Sequence, residues 1–201
     1  MEKSERGVFN FIYFIVLAAA VVFIAAGLPA CGKGLPTGPS KTETISAGSD
    51  PDLRAVKKYN ADHYRGHATR WNRSTIDVHD AVGVPNLQGI LNDWNNALGG
   101  KLTLAVGGPG SPIQIVGDST IAECGLANVP ASDYRIENVK ISIRCNTEAV
   151  VKHELGHAVG FAGHASDGGV MDVRHSLAIT EMYAEMLRRL YDLAPGTVIT
   201  D

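Results

Sequence analysis

The sequence contains no long run of basic residues. Its 18 lysines and arginines are outnumbered by 21 aspartates and glutamates, which gives a formal net charge of −3. Proteins that bind nucleic acid cluster lysine and arginine on one face, so nothing in the sequence indicates a nucleic-acid partner. The sequence also contains no internal repeat, which argues against a repeat architecture. An apolar fraction of 45 % is sufficient for a packed core, and 201 residues fit one domain and an export segment.

Charged residues are also absent between Val8 and Leu28, a stretch that follows a short charged start. This arrangement is typical of an export signal, and the stretch is long enough to span a bilayer if it stays uncut. The segment Leu28-Pro29-Ala30-Cys31 resembles a bacterial lipoprotein signal, in which the cysteine becomes lipidated. We therefore predict a signal peptide over residues 1–30, a lipidated Cys31 and an extracytoplasmic, membrane-anchored location in a bacterial cell envelope. An uncleaved membrane anchor and simple secretion are the alternatives.

Cysteine is scarce, with three residues in the chain. If Cys31 carries lipid, Cys124 and Cys145 are left as the one intramolecular pair. An exported domain lies in an oxidising compartment, so we predict a disulfide between them, with two buried free thiols as the alternative. The segment after Cys31 is rich in Gly, Pro, Ser and Thr, so we predict a flexible tether over residues 31–52 and one folded domain over residues 53–201.

The most informative segment runs from His153 to His164 and reads HELGHAVGFAGH. His153 and His157 are four residues apart, so on a helix they share one face, where two imidazoles can bind a zinc ion. Glu154 is offset around the helix, which suits a general base better than a third ligand. Gly160 can take a left-handed conformation and end the helix, so that the chain folds back and brings His164 to the metal. Three protein ligands leave a fourth position open, which is typical of catalytic zinc.

Met171 follows these histidines in a glycine-rich turn, where it would form a hydrophobic floor beneath the metal. A long HExxHxxGxxH motif followed by a methionine turn is the pattern of the metzincin zinc peptidases, and residues 153–172 resemble the matrixin-like group among them. The resemblance implies one role for each residue: zinc ligation by His153, His157 and His164, water activation by Glu154, and a supporting turn at Met171.

The third histidine is displaced relative to the family pattern. The pattern places that histidine ten residues after the first, where this chain has Gly163 and offers no side chain. His164 follows directly, so we assign the third ligand to His164 and one extra residue to the loop near Ala162. An insertion is easiest to absorb in a loop that follows a helix.

Other candidate metal ligands carry a weaker signal. Glu181 and Glu185 lie on a predicted helix, as in zinc peptidases whose third ligand is a helical glutamate, but they lie farther from His157 than that pattern has. We interpret them as solvated helix charges. Asp77 and His79 alternate on a predicted strand, and we interpret them as its solvated face.

The pattern of apolar residues and turn signals predicts an α+β fold. Residues 53–70 are predicted as a helix or an irregular lead-in. The resemblance implies a metzincin-like twisted mixed β-sheet with two long helices, an active-site helix, a Met-turn and a C-terminal helix. It also implies an edge strand antiparallel to the substrate, which we assign to residues 138–144 or to the segment just before them. Strands are predicted over residues 74–79, 101–106, 112–116 and 139–144, and helices over residues 85–98, 147–161 and 179–193.

The leading hypothesis is a zinc-dependent metalloendopeptidase that hydrolyses peptide bonds by zinc-activated water, with Glu154 as general base. Its partners would be a protein or peptide substrate and, through the lipid anchor, the membrane. The alternative is an envelope-anchored, zinc-containing lipoprotein that binds a partner without turnover, against which Glu154 argues because a binding site needs no base. An amidase-like hydrolase of cell-wall peptides is a third hypothesis, with no wall-binding repeat to support it. Nothing in the sequence indicates an oligomeric state.

Overall fold

The structure is a computed structural model that describes residues 42–174 and 176–201. The predicted signal peptide and Cys31 lie outside the described residues. Within the described ranges, no helix is both long and apolar enough to cross a bilayer. The helices are α1 (Pro51–Tyr59), α2 (Leu87–Leu98), α3 (Glu148–Ala158) and α4 (Glu181–Asp192). The strands are β1 (Thr44–Ser46), β2 (Thr75–Asp80), β3 (Thr103–Val106), β4 (Ile113–Gly117), β5 (Gly125–Asn128), β6 (Ala131–Ser132), β7 (Arg135–Ile136), β8 (Val139–Ile143) and β9 (Val198–Thr200).

A mixed five-stranded sheet forms the centre of the fold, in the order β3-β2-β4-β8-β5. The pairs β2–β3, β2–β4 and β4–β8 are parallel, whereas β5 runs antiparallel to β8 and ends the sheet at one edge. Parallel neighbours need a crossover connection, and α2 supplies the one between β2 and β3. Alternate apolar residues are buried along the inner strands, with Ile76 and Val78 on β2 and Ile113 and Ile115 on β4.

Helix α3 lies in the core and is buried from Val150 to Gly156. Thr147 caps its start, because the Thr147 hydroxyl accepts a hydrogen bond from the backbone N–H of Val150. Two buried indoles hold its backbone: Trp94 donates to the carbonyl of Lys152 at 3.0 Å, and Trp71 donates to that of Ala158 at 2.7 Å. The second bond satisfies one of the carbonyls that a helix end leaves unpaired. The helix is therefore fixed along its length, which holds the side chains of His153, Glu154 and His157 in place.

The structure confirms the α+β class: over residues 42–174 and 176–201, four helices accompany a mixed sheet. The predicted strands over residues 74–79, 112–116 and 139–144 correspond to β2, β4 and β8 with shifts of a residue or so. The assignment of residues 138–144 as the edge strand is wrong, because β8 is paired on both sides, by β4 and β5. The strand at that edge is β5, which was not predicted.

Two elements of regular secondary structure start on the N-terminal side of the predicted boundary at residues 52 and 53. Strand β1 pairs in parallel with β9, and α1 begins at Pro51. Asp50 caps α1, because its Oδ1 accepts hydrogen bonds from the backbone N–H groups of Asp52 and Leu53. The composition of this segment suggested a tether, but β9 supplies a pairing partner from the other end of the chain. The lead-in after residue 53 resolves into α1 and a short 3-10 turn, Ala61–Tyr64.

Candidate active site

Three histidine side chains converge at the end of α3. The Nε2 atoms of His157 and His164 each lie 3.2 Å from Nε2 of His153, and the ligand atoms of all three lie within 4.8 Å of one another. Two nitrogens bound tetrahedrally at about 2.0–2.1 Å from a zinc ion are about 3.3 Å apart. The three-histidine group therefore has the dimensions of a metal site, and it brings together all three of the ligands predicted from the sequence.

Backbone carbonyls fix the orientation of two of these rings. Nδ1–H of His153 donates to the carbonyl of Val170 at 2.7 Å, and Nδ1–H of His157 donates to that of Phe161 at 2.7 Å. A ring that carries its proton on Nδ1 presents the Nε2 lone pair to a metal. Burial lowers the pKa of His157 to about 4, against an ordinary value of 6.5. His157 is therefore neutral near pH 7, as a metal ligand must be.

Gly160 ends α3 and starts the loop that carries His164. Its φ of +114° lies in the region that favours glycine, and the backbone N–H of Phe161 closes the helix by donating to the carbonyl of Gly156. The N–H groups of Ala162 and Gly163 then both donate to the carbonyl of Tyr59, at 2.8 and 3.2 Å. The loop is tied in this way to the end of α1, which positions His164.

Glu154 lies beside the three-histidine group and is only 4 % exposed. Burial raises the pKa of its carboxyl group to about 7, although the backbone N–H of Ala127 donates a hydrogen bond that opposes the shift. A carboxyl group with this pKa exchanges protons readily near neutral pH. Gly125 makes the close approach of β5 possible, because a Cβ atom there would lie 2.8 Å from Oε1 of Glu154.

A cleft of about 800 Å³ contains these groups. It is lined by the three-histidine group, Glu154, strand β5, and His63 and Tyr64 of the 3-10 turn. Two of its apolar lining residues, Leu126 on β5 and Val173, are 49 % and 65 % exposed. Exposed apolar side chains around a polar centre are typical of a binding site for a ligand with apolar groups.

Met171 is completely buried against α3. A Cβ atom on Gly156 would lie 2.2 Å from its Sδ, so the sulfur occupies the space that this glycine leaves. The carbonyl of Met171 closes this turn by accepting a hydrogen bond from the backbone N–H of Ala165 at 3.0 Å. Next to Met171, the carboxylate of Asp172 has a pKa well below its usual range, mainly because Arg174 donates hydrogen bonds to it. Met171 thus lies in a turn against the helix that carries His153 and His157, and its role beneath a metal stays a prediction.

The disulfide between Cys124 and Cys145 is present, which confirms the predicted pair. Cys124 precedes β5, and Cys145 lies two residues before the capping Thr147 of α3. The backbone N–H of Cys145 also donates to the carbonyl of Cys124 at 3.0 Å. The bridge therefore joins the strand that covers Glu154 to the start of the helix that carries it.

The other candidates from the sequence lie outside the three-histidine group. Glu181 and Glu185 form ion pairs with Arg188, at 3.1 and 2.8 Å, as expected for charges on a helix surface. Asp77 and His79 lie on β2 and do not line the cleft. Sequence reasoning missed three contributors to the cleft that only the tertiary fold brings there: His63, Gly125 and the backbone N–H of Ala127.

A comparison with models of known protein families and with curated proteins finds no match for this chain.

Proposed function

We propose that this protein is a zinc-dependent metalloendopeptidase of the metzincin type. The observation that carries the proposal is the convergence of three imidazole Nε2 atoms beside a buried carboxyl group, in one cleft. Three nitrogen ligands with an open fourth position are the usual catalytic arrangement for zinc. A zinc ion at this site would supply Lewis-acid activation of a water molecule and of the substrate carbonyl group.

Glu154 is the general base in this proposal. Its carboxylate takes a proton from the attacking water and later delivers it to the amine that leaves. Without metal, burial raises the pKa of Glu154 to about 7. A bound cation would oppose that shift and favour the carboxylate, which is the form that accepts the proton. The hydrogen bond from the N–H of Ala127 keeps the carboxyl group beside β5.

Strand β5 is the proposed binding edge for the peptide. It ends the five-stranded sheet, so the side that faces away from β8 can add an extended chain by backbone hydrogen bonds. Leu126 and Val173 would contact apolar side chains of that chain. The metzincin assignment draws further support from the buried Met171, which lies against the helix turn between His153 and His157.

We also propose that the domain acts outside the cytoplasm, held to a bacterial envelope membrane by lipid on Cys31. The disulfide between Cys124 and Cys145 supports an oxidising compartment. Mass spectrometry of the protein from a bacterial membrane fraction tests the anchor. A peptide that starts at Cys31 and carries acyl chains is expected, and an intact residue 1–30 segment would contradict it.

The experiment for the catalytic proposal compares wild type, Glu154→Gln and Glu148→Gln, purified with detergent. Glu148 begins the same helix and pairs with Asn86 outside the cleft, so its variant is a matched control. We expect close to one zinc per chain in all three, with casein cleavage by wild type and Glu148→Gln alone. Zinc binding without cleavage by any of them would favour a zinc-containing binding lipoprotein, and cleavage by Glu154→Gln would exclude Glu154 as the base.

His164→Ala tests the third ligand separately. Removal of a group that only orients a ligand typically weakens metal affinity by about 10–100-fold, so loss of a ligand should weaken it at least as much. Competition with a chelating dye measures this affinity. An unchanged zinc affinity would mean that another side chain supplies the third nitrogen or oxygen.

A further inference from the structure

His63 is a fourth histidine of the cleft, outside the three-histidine group. It lies on the 3-10 turn Ala61–Tyr64 and lines the same cleft as Glu154. Buried Asn60 anchors the start of this turn: its side-chain amide donates to the carbonyls of Thr69 and Gly160, each at 2.7 Å. The position of His63 is therefore linked to the residue that ends α3.

Gly163 allows the ring of His63 to approach the loop that carries His164. A Cβ atom on Gly163 would lie 2.9 Å from Nε2 of His63, closer than side chains tolerate. The ring of His63 therefore occupies the space that a side chain at position 163 would take, next to His164. Within the described part of the chain, no side-chain hydrogen bond of the structure involves the His63 ring, so its N–H can serve a ligand in the cleft.

We propose that His63 is a further catalytic residue, whose Nε2–H donates a hydrogen bond to the carbonyl oxygen of the peptide bond under attack. The inference rests on the peptidase function proposed above. Glu154 faces β5 and accepts the proton of the water, so it does not stabilise negative charge on the carbonyl oxygen. His63 lies on the 3-10 turn, against the loop after α3. It therefore supplies a hydrogen-bond donor from a part of the cleft that neither α3 nor β5 forms.

The step balances without a further reactant. The water oxygen forms a bond to the carbonyl carbon, and the electron pair of the C=O double bond moves to the carbonyl oxygen while Glu154 takes the water proton. The pair then returns, the C–N bond breaks, and Glu154 delivers the proton to nitrogen. His63 keeps its own proton throughout. Its hydrogen bond strengthens as the oxygen gains charge, so it favours the transition state over the bound substrate.

Removal of one such donor typically lowers kcat by about 10²–10³-fold. We expect that loss for His63→Ala and for His63→Phe, which keeps a ring over Gly163 but has no N–H. His63→Gln retains a side-chain N–H and should retain part of the rate. KM and zinc content should stay close to wild type, because His63 is outside the three-histidine group. His79→Ala removes a histidine from β2, away from the cleft, and is the control.

The experiment uses the full chain in detergent, loaded with zinc. Cleavage of quenched fluorescent casein identifies a cleaved peptide, on which kcat and KM are measured. A phosphinate analogue of that peptide places charged oxygens at the position of the carbonyl, and its affinity is measured by calorimetry. We expect this affinity to fall in the Ala and Phe variants by the same factor as kcat/KM, with less loss in the Gln variant and none in His79→Ala.

An active wild type whose Ala and Phe variants keep both kcat and phosphinate affinity would overturn the role of His63 and leave the peptidase proposal standing. Loss of zinc from His63→Ala would also overturn it, because His63 would then act as a ligand. A zinc-loaded wild type that neither cleaves casein nor binds a phosphinate peptide would overturn both proposals.

Discussion

The substitution Gly156→Ala tests the packing beneath the three-histidine group. The new Cβ atom would lie 2.2 Å from Sδ of Met171 and 3.0 Å from Cζ2 of Trp94, and both of these side chains are completely buried. Helix propensity alone favours alanine over glycine by about 1 kcal/mol in a helix interior. Overpacking of a core typically costs about 1–3 kcal/mol, and a contact this short belongs at the upper end. The net expectation is a loss of about 2 kcal/mol in the free energy of unfolding.

The same substitution should weaken metal binding. Met171 has to move, and the adjacent Val170 carbonyl holds the ring of His153 through a 2.7 Å hydrogen bond. Loss of such an orienting contact typically costs about 10–100-fold in metal affinity. The assays are urea unfolding of the metal-free protein and zinc competition with a chelating dye. A loss of about 2 kcal/mol corresponds to a Tm lower by about 4–8 °C for a domain of this size.

Gly108→Ala is the matched control. A Cβ atom on Gly108 meets nothing within 4 Å, and its φ is not positive, so stability should change by less than about 0.5 kcal/mol. A Gly156→Ala variant that is more stable by about 1 kcal/mol, as helix propensity alone predicts, would refute the reasoning. It would show that the sulfur of Met171 does not lie against this turn of α3.

Three further predictions concern stability. In the metal-free protein, the pKa of Glu154 is raised to about 7, so its contribution to stability grows as the pH falls. The pKa of His157 is lowered to about 4, so its contribution grows as the pH rises. The two contributions cancel between about pH 4.5 and 6.5. Glu154→Gln removes the Glu154 contribution. Relative to wild type, the stability of the variant should fall by about 1.4 kcal/mol more per pH unit as the pH drops through that window, and a slope equal to wild type by urea unfolding would contradict this. Asn60→Ala leaves buried backbone groups without partners and should cost about 3 kcal/mol in the same assay; a loss below 1 kcal/mol would count against the bonds described. Replacement of Cys124 and Cys145 by serine opens a loop with a sequence separation of 21 and should cost about 3 kcal/mol, and equal stability with and without reductant in wild type would disprove it.

The three-histidine group was predictable because its geometry is mostly local. Four-residue spacing on a helix places His153 and His157 on one face, and a glycine stop followed by a short loop limits where His164 can lie. The inner strands were predictable for a similar reason, since β2, β4 and β8 are rich in isoleucine and valine with buried alternate positions.

The edge of the cleft was not predictable from local pattern. Strand β5 reads Gly-Leu-Ala-Asn, which has no β-branched residue and two residues that strands disfavour. Strand β5 forms because it pairs with β8. The missing side chain of Gly125 matters because Glu154, which follows 29 positions later (154 − 125), packs against it. The raised pKa of Glu154 has the same origin, because burial under β5 is a property of the assembled fold.

The pairing of β1 with β9 sets the order in which the molecule can be completed. The hydroxyl of Ser46 donates to the carbonyl of Asp201 across 155 positions of sequence, so this closure waits for synthesis of β9. Helix α1 follows β1 directly, and the carbonyl of Tyr59 at its end holds the loop of His164. The position of His164 thus depends on α1, which directly follows the strand that pairs with β9. Under the export and peptidase activity proposed above, a chain still emerging from an export channel would lack this closure, so hydrolysis would begin only after the whole domain has crossed the membrane.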